Sequence, residues 1–119
     1  DTDFFVRLCD VYPDGRSFNL VEGVRRTRFR EGLDREVLLT PGQPVEVGID
    51  CGSTSVIFHR GHRLRVHVTS SSYPAYDPNP NTGAPFRSGG PSRLATNTVF
   101  LDAQRPSHLV LPVVTAPPP

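Results

Sequence analysis

Three groups of side chains in this sequence have types that could do chemistry. His59-Arg60-Gly61-His62, with His67 five residues on, is the first, because imidazoles close in sequence can converge on a zinc ion. Gly61 makes this segment a turn and His67 belongs to a strand, so the turn reading is preferred over a metal site. Glu46 and Asp50 form the second group, on one face of a run of β character. A spacing of four places them about 13 Å apart by strand rise, too far to share a proton. They read as solvated strand carboxylates. The third group is cationic: Arg26, Arg28 and Arg30 form a stripe on one strand face, with Arg63 and Arg65 forming another. Such stripes suit either a solvated face balanced by Glu22, Glu31, Asp34 and Glu36 or a polar interface, since the planar guanidinium fork pairs well across interfaces.

Motifs for covalent catalysis are missing. Gly52-Ser53-Thr54-Ser55 lacks the second glycine and the following helix of a nucleophile elbow. With no lysine in the chain there can be no Ser-Lys dyad or Schiff base. Neither a phosphate loop nor a Gly-rich dinucleotide fingerprint occurs, so no cofactor is implied. The 13 basic residues are all Arg and 12 acidic residues offset them to a net charge of +1, which lacks the cationic excess of a nucleic-acid binder. No apolar run approaches the roughly 18 to 20 residues that cross a bilayer. Cys9 and Cys51 stand alone and are expected as two half-buried free thiols, and a cytoplasmic setting is favoured over a periplasmic or secreted one.

The elements that position these residues are short β-prone runs. The 119 residues suffice for one core, and 13 prolines and 10 glycines leave no room for long helices. Phe4, Val6 and Leu8 alternate with Phe5, Arg7 and Cys9, predicting a strand. Tyr12-Pro13-Asp14-Gly15-Arg16 predicts a hairpin turn. The next strand, 17–30, carries Gly23 as a bulge or bend. Further strands are expected over 35–40, 45–49, 54–58, 63–68, 95–101 and 108–114, seven or eight in all. Leu64, Val66 and Val68 should point inward, with Arg63, Arg65 and His67 outward. Residues 70–92 carry five prolines and no periodicity, and read as a long loop of functional or poorly ordered kind. The domain spans 1–114 and a Pro-rich tail 115–119. Tyr73, Tyr76 and Phe86 lie in the loop, where anchoring in a partner is preferred over sugar stacking. Trp, the usual sugar platform, is absent.

Several segments in register resemble a known family. Asp1-Thr2-Asp3-Phe4, Leu8-Cys9-Asp10-Val11-Tyr12-Pro13-Asp14-Gly15-Arg16, Gly61-His62-Arg63-Leu64-Arg65-Val66, Ser70-Ser71-Ser72-Tyr73-Pro74, Asp77, Asn79-Pro80-Asn81-Thr82-Gly83 and Pro106-Ser107-His108-Leu109-Val110-Leu111-Pro112-Val113 resemble the C-terminal domain shared by X-Pro dipeptidyl-peptidases, cocaine-esterase-like hydrolases and α-amino acid ester hydrolases. The resemblance implies a non-catalytic, all-β jelly-roll sandwich of galactose-binding-like type. The partner it implies is a catalytic α/β-hydrolase domain of the same protein, which would carry the serine triad. Strands are expected before Asp1, and their absence would leave edges open to pairing with another chain, including a second copy. Tyr73, Tyr76, Asp77, Arg26, Arg28 and Arg30 are the expected interdomain contacts. A free-standing carbohydrate- or ligand-binding sandwich is the alternative.

Overall fold

The computed structural model describes residues 1–85 and 87–114. Its centre is a three-stranded antiparallel sheet of order β2-β1-β3, with β1 at Asp3–Val11, β2 at Ser17–Arg26 and β3 at Arg63–Thr69. A two-stranded ribbon, β4 (Leu101–Asp102) and β5 (Arg105–Pro106), lies downstream. A 3-10 turn at Thr27–Phe29 closes β2, and no α-helix occurs among the described residues. The structure is therefore mostly strand in small antiparallel sheets.

The β1–β2 hairpin is a product of its turn. Gly15 adopts φ +90°, which Gly accepts without the Cβ clash that other residues suffer, and its amide donates to the Tyr12 carbonyl at 2.9 Å. Asp14 fixes the bend by accepting from the Arg16 amide at 3.1 Å and from Arg16 Nε at 2.7 Å. The Arg16 amide, more than any other group, draws the Asp14 carboxyl below its ordinary pKa.

Register within the hairpin carries an irregularity at Leu8/Cys9: Leu8 pairs with Val21 and Cys9 with Asn19, so Leu20 is the extra residue. This bulge decides which side chains meet at the open end of the hairpin. Without it Asp3 would stand opposite Arg25; with it Asp3 stands opposite Arg26. Residue type places a bulge at Gly23, but Gly23 pairs squarely with Val6. Its role is close approach. A Cβ there would meet the Asp50 carbonyl at 2.5 Å, and Cys51 Sγ and Ile49 Cγ2 at 2.9 Å.

One face of the sheet therefore carries Phe4, Val6, Leu8 and Asp10 on β1 with Val66, Val68 and Leu64 beside them on β3, partly covered by the 49–51 segment. Cys51 Sγ reaches the Val6 carbonyl at 4.0 Å, and burial, with Asp50 as a lesser cause, pushes its thiol pKa up. Cys9 is fully buried on the opposite face, its thiol donating to Asn19 Oδ1 at 3.2 Å. Both cysteines are free.

Several expected strands are not formed. Runs 35–40, 45–49, 54–58 and 108–114 have no ladder among the described residues, and 95–101 contributes only Leu101 to β4. Alternation gives a segment two faces, but a strand also needs a continuous row of partners for its N–H and C=O groups, and these runs form none; the Val37 amide, which donates to the Arg28 carbonyl at 2.7 Å, makes a single bond and not a ladder. Phe86 and the 115–119 tail lie outside the described residues.

Gly23→Ala should lower stability by about 1–3 kcal/mol, because backbone blocks the added methyl. Gly48→Ala, which meets nothing within 4 Å, should stay within about 0.5 kcal/mol of the parent in urea unfolding. Equal costs at the two positions would contradict the close approach at Gly23.

Candidate docking site

The second sheet face carries Asp3, Phe5, Arg7 and Cys9 on β1, opposite Arg26, Val24 and Glu22 on β2. The loop after β3 turns back across this face and meets β1 at successive positions. Arg7 pairs with Glu22 and donates from Nη2 to Ser72 Oγ at 2.6 Å, while the Ser72 hydroxyl faces Glu22 Oε1 at 3.4 Å. One step along, the Tyr76 ring tilts against Phe5 with centroids 5.1 Å apart. At the strand's start, Asn79 Nδ2 donates to Asp3 Oδ1 at 2.8 Å and to Asp1 Oδ2 at 3.0 Å. Asn79 Oδ1 in turn accepts from the Asn81 amide at 2.9 Å, so the side-chain amide is engaged at both ends. Asn81 takes φ +59°, a conformation Asn tolerates better than most residues.

The carboxylates that Asn79 bridges are held by two arginines. Arg26 forks onto Asp3 with both N···O distances at 2.9 Å. Those hydrogen bonds raise the Arg26 pKa above its ordinary value, with Asp3, Asp77 and Glu36 adding charge attraction against the opposing effect of burial. Arg28 reaches Asp1 Oδ2 from Nε and Nη2 at 3.0 and 2.8 Å, Glu36 at 3.0 Å and the Ala84 carbonyl at 3.0 Å. Thr27, fully buried between them, donates its amide to the Thr2 carbonyl at 3.0 Å and accepts the Thr2 amide on Oγ1 at 3.2 Å.

The expected cationic stripe is thereby corrected. β2 ends at Arg26 and the chain turns at Thr27–Phe29, so Arg26, Arg28 and Arg30 do not share a strand face. Arg28 is only 5% exposed and serves the carboxylate network. Arg30 donates to the Thr27 carbonyl at 3.1 Å and to the Val37 carbonyl, and pairs with Glu31 at 3.3 Å. Arg26, Tyr76 and Asp77, in contrast, are brought together with Phe5, Val24 and Pro74 around a shallow groove of about 470 Å³. Tyr73, next in sequence to the groove residue Pro74, is 74% exposed, and Tyr76 divides its ring between Phe5 and solvent. Asp77 pairs with Arg87 at 3.0 Å in the open.

Asp1, Thr27 and Asn79 are members of this network that reasoning from residue types did not single out. Their signal was the alternation of Asp1 and Asp3 at the entrance to a strand whose hairpin partner ends in Arg26 and Arg28. The histidine group is drawn elsewhere. His62 donates its amide to the His59 carbonyl at 3.0 Å, turns at Gly61, and sets Nδ1 2.9 Å from Asp10 Oδ1 with its ring 4.2 Å from that of Tyr12. His67 lies exposed on β3.

A family model described as X-Pro dipeptidyl-peptidase C-terminal non-catalytic domain matches residues 1–110. The chain is 42% identical over 116 residues to cocaine esterase of Rhodococcus sp. (strain MB1 Bresler), an alignment covering 96% of this chain and 20% of that protein. The chain thus spans about a fifth of the length of this relative.

The two loop tyrosines should separate cleanly in this chain. Tyr76→Ala should cost about 1–3 kcal/mol of stability, as the aromatic contact with Phe5 and its burial are lost, whereas Tyr73→Ala should change it by less than about 0.5 kcal/mol. Equal effects in urea titrations would contradict the placement of the loop.

Proposed function

The chain belongs to the X-Pro dipeptidyl-peptidase C-terminal non-catalytic domain family, and from that premise we propose that it docks onto, and helps shape the active-site cleft of, the catalytic α/β-hydrolase domain of a longer serine hydrolase. The observation that carries this reading is the loop face: an outward Tyr73 beside a groove edged by Arg26, Tyr76 and Asp77, on a loop pinned to the sheet beneath it. An aromatic side chain already held by its backbone contributes large contact area for two torsions of lost freedom, which makes it a good interface anchor. The catalytic serine, its base and its acid belong, in this reading, to the other domain. The complete fold would be a jelly-roll sandwich in which further strands cover the sheet edges. The substrate of the whole protein is an ester or amide open to acyl transfer to serine, in keeping with the family.

Arg28 and Arg30 have no part in that interface, since both spend their donors inside the chain. Tyr73, with Tyr76, Asp77 and Arg26 behind it, supplies the contact.

Tyr73→Ala tests this in two settings. In the full-length protein it should lower the stability of the docked state by about 1–2 kcal/mol or more and speed hydrogen exchange in residues 72–77, with nitrophenyl-ester turnover falling only in step with undocking. In the 119-residue chain alone the same change should be nearly silent. Identical, small effects in both settings would show that this face is not the docking surface.

A further inference from the structure

Asp14 precedes Gly15 at the turn between β1 and β2, and no other Asp or Asn of the chain is followed by glycine. Such a step is open to one reaction of the main chain, because glycine has no side chain to hinder its nitrogen. The Gly15 nitrogen gives up its proton and bonds to Asp14 Cγ, and one carboxyl oxygen leaves as water. The cyclic imide that results then adds water back. Addition at Cγ restores Asp14, whereas addition at the Asp14 main-chain carbonyl breaks the original peptide bond and routes the chain through Cβ and Cγ as isoaspartate. Mass is conserved, water is the sole co-reactant, and the turn grows longer by a main-chain carbon.

The turn opposes both halves of this step. On the nucleophile's side, the Gly15 N–H donates to the Tyr12 carbonyl at 2.9 Å, beside the Tyr12 amide on the Arg16 carbonyl at 2.8 Å. Losing that proton gives up a bond that closes the turn. On the electrophile's side, Arg16 takes both carboxyl oxygens, its amide reaching Oδ1 at 3.1 Å and its Nε reaching Oδ2 at 2.7 Å. A neutral acid releases its hydroxyl as water readily and a carboxylate does not, and donors of this kind favour the carboxylate. The Asp14 pKa lies below its ordinary value accordingly. The guanidinium is itself placed, 5.2 Å from the Tyr12 ring centre and 5.9 Å from that of Phe18. Burial gives no protection, since the Asp14 side chain is 54% exposed and a Cβ at Gly15 would meet nothing within 4 Å. We propose that Asp14–Gly15 is a latent isomerisation site that Arg16 holds shut, and that isoaspartate forms here when this clamp opens.

The test ages the 119-residue chain at neutral pH beside a synthetic peptide of residues 8–18, and counts isoaspartate at residue 14 by peptide mapping. The chain should accumulate it about tenfold or more slowly than the peptide, because reaction requires a local opening of the turn. Arg16→Ala and Arg16→Gln, the second keeping part of the stem over Tyr12, should each raise the rate in the chain by about twofold to fivefold, the scale of an exposed ion pair. The side chain at this position is 64% exposed, so both variants should keep the fold, read as unchanged exchange of the β1 amides. Equal rates in chain and peptide would overturn the proposal, as would either variant ageing no faster than the parent.

Discussion

Two buried carboxylates that must be neutralised where they stand govern this structure. Asp1 and Asp3, alternate residues on one face at the entrance to β1, are held by Arg28 and Arg26 and bridged by Asn79. Removing one partner of such a buried pair leaves an uncompensated charge and costs about 3–5 kcal/mol, far more than an exposed pair contributes. The cluster therefore ties together three parts of the chain that are distant in sequence: the start of β1, the end of β2 with its 3-10 turn, and the loop after β3. Its geometry depends on one residue. Leu20, extra in β2, moves the register so that Arg26 rather than Arg25 faces Asp3, and it sends Arg25 to the other side, where Nε meets the Gly48 carbonyl at 3.2 Å.

From that cluster the loop is drawn back along β1, with Ser72 at Arg7, Tyr76 at Phe5 and Asn79 at Asp3. The consequence for function is a division of labour within a few residues. Tyr76 stabilises the loop by half-burying its ring, while Tyr73, three residues earlier, is left outward on a segment whose backbone is already fixed. A surface ordered before contact loses less entropy when a partner arrives, so in the docking reading proposed above the anchoring of the loop would favour association.

The sequence was legible wherever the signal was local. Period-two alternation located β1 and β3, and Pro13, Asp14 and Gly15 located the hairpin turn. It misled wherever a distant segment decided the outcome. Gly23 reads as a bulge by residue type, yet its missing side chain accommodates Ile49, Asp50 and Cys51 passing 26 to 28 residues later. Arg26, Arg28 and Arg30 keep strand spacing, but Thr27–Phe29 turns instead of continuing, because the Thr27 amide goes to Thr2 rather than along a ladder. Leu64, Val66 and Val68 do share a face with Leu8, as alternation says, yet they remain about 40% exposed, since period fixes the face and only a neighbouring element can cover it. Of the residues expected at an interdomain contact, Arg26, Tyr76 and Asp77 line one groove, Tyr73 stands exposed, and Arg28 and Arg30 turn inward. Asn79 could not be found from residue type, because its partners depend on a register that one bulge residue sets.

Asn79 gives the most direct access to the central claim, because replacing it removes the bridge to the loop while leaving Asp1 with Arg28 and Asp3 with Arg26. Hydrogen exchange of Asn79→Leu should show protection of the 72–85 amides falling by about tenfold or more, as expected for losing hydrogen bonds to charged groups, with the β1–β2 amides still protected. Unchanged protection of 72–85 in that variant would contradict the account, since the loop would then be held to the sheet without the Asn79 bridge to the two carboxylates.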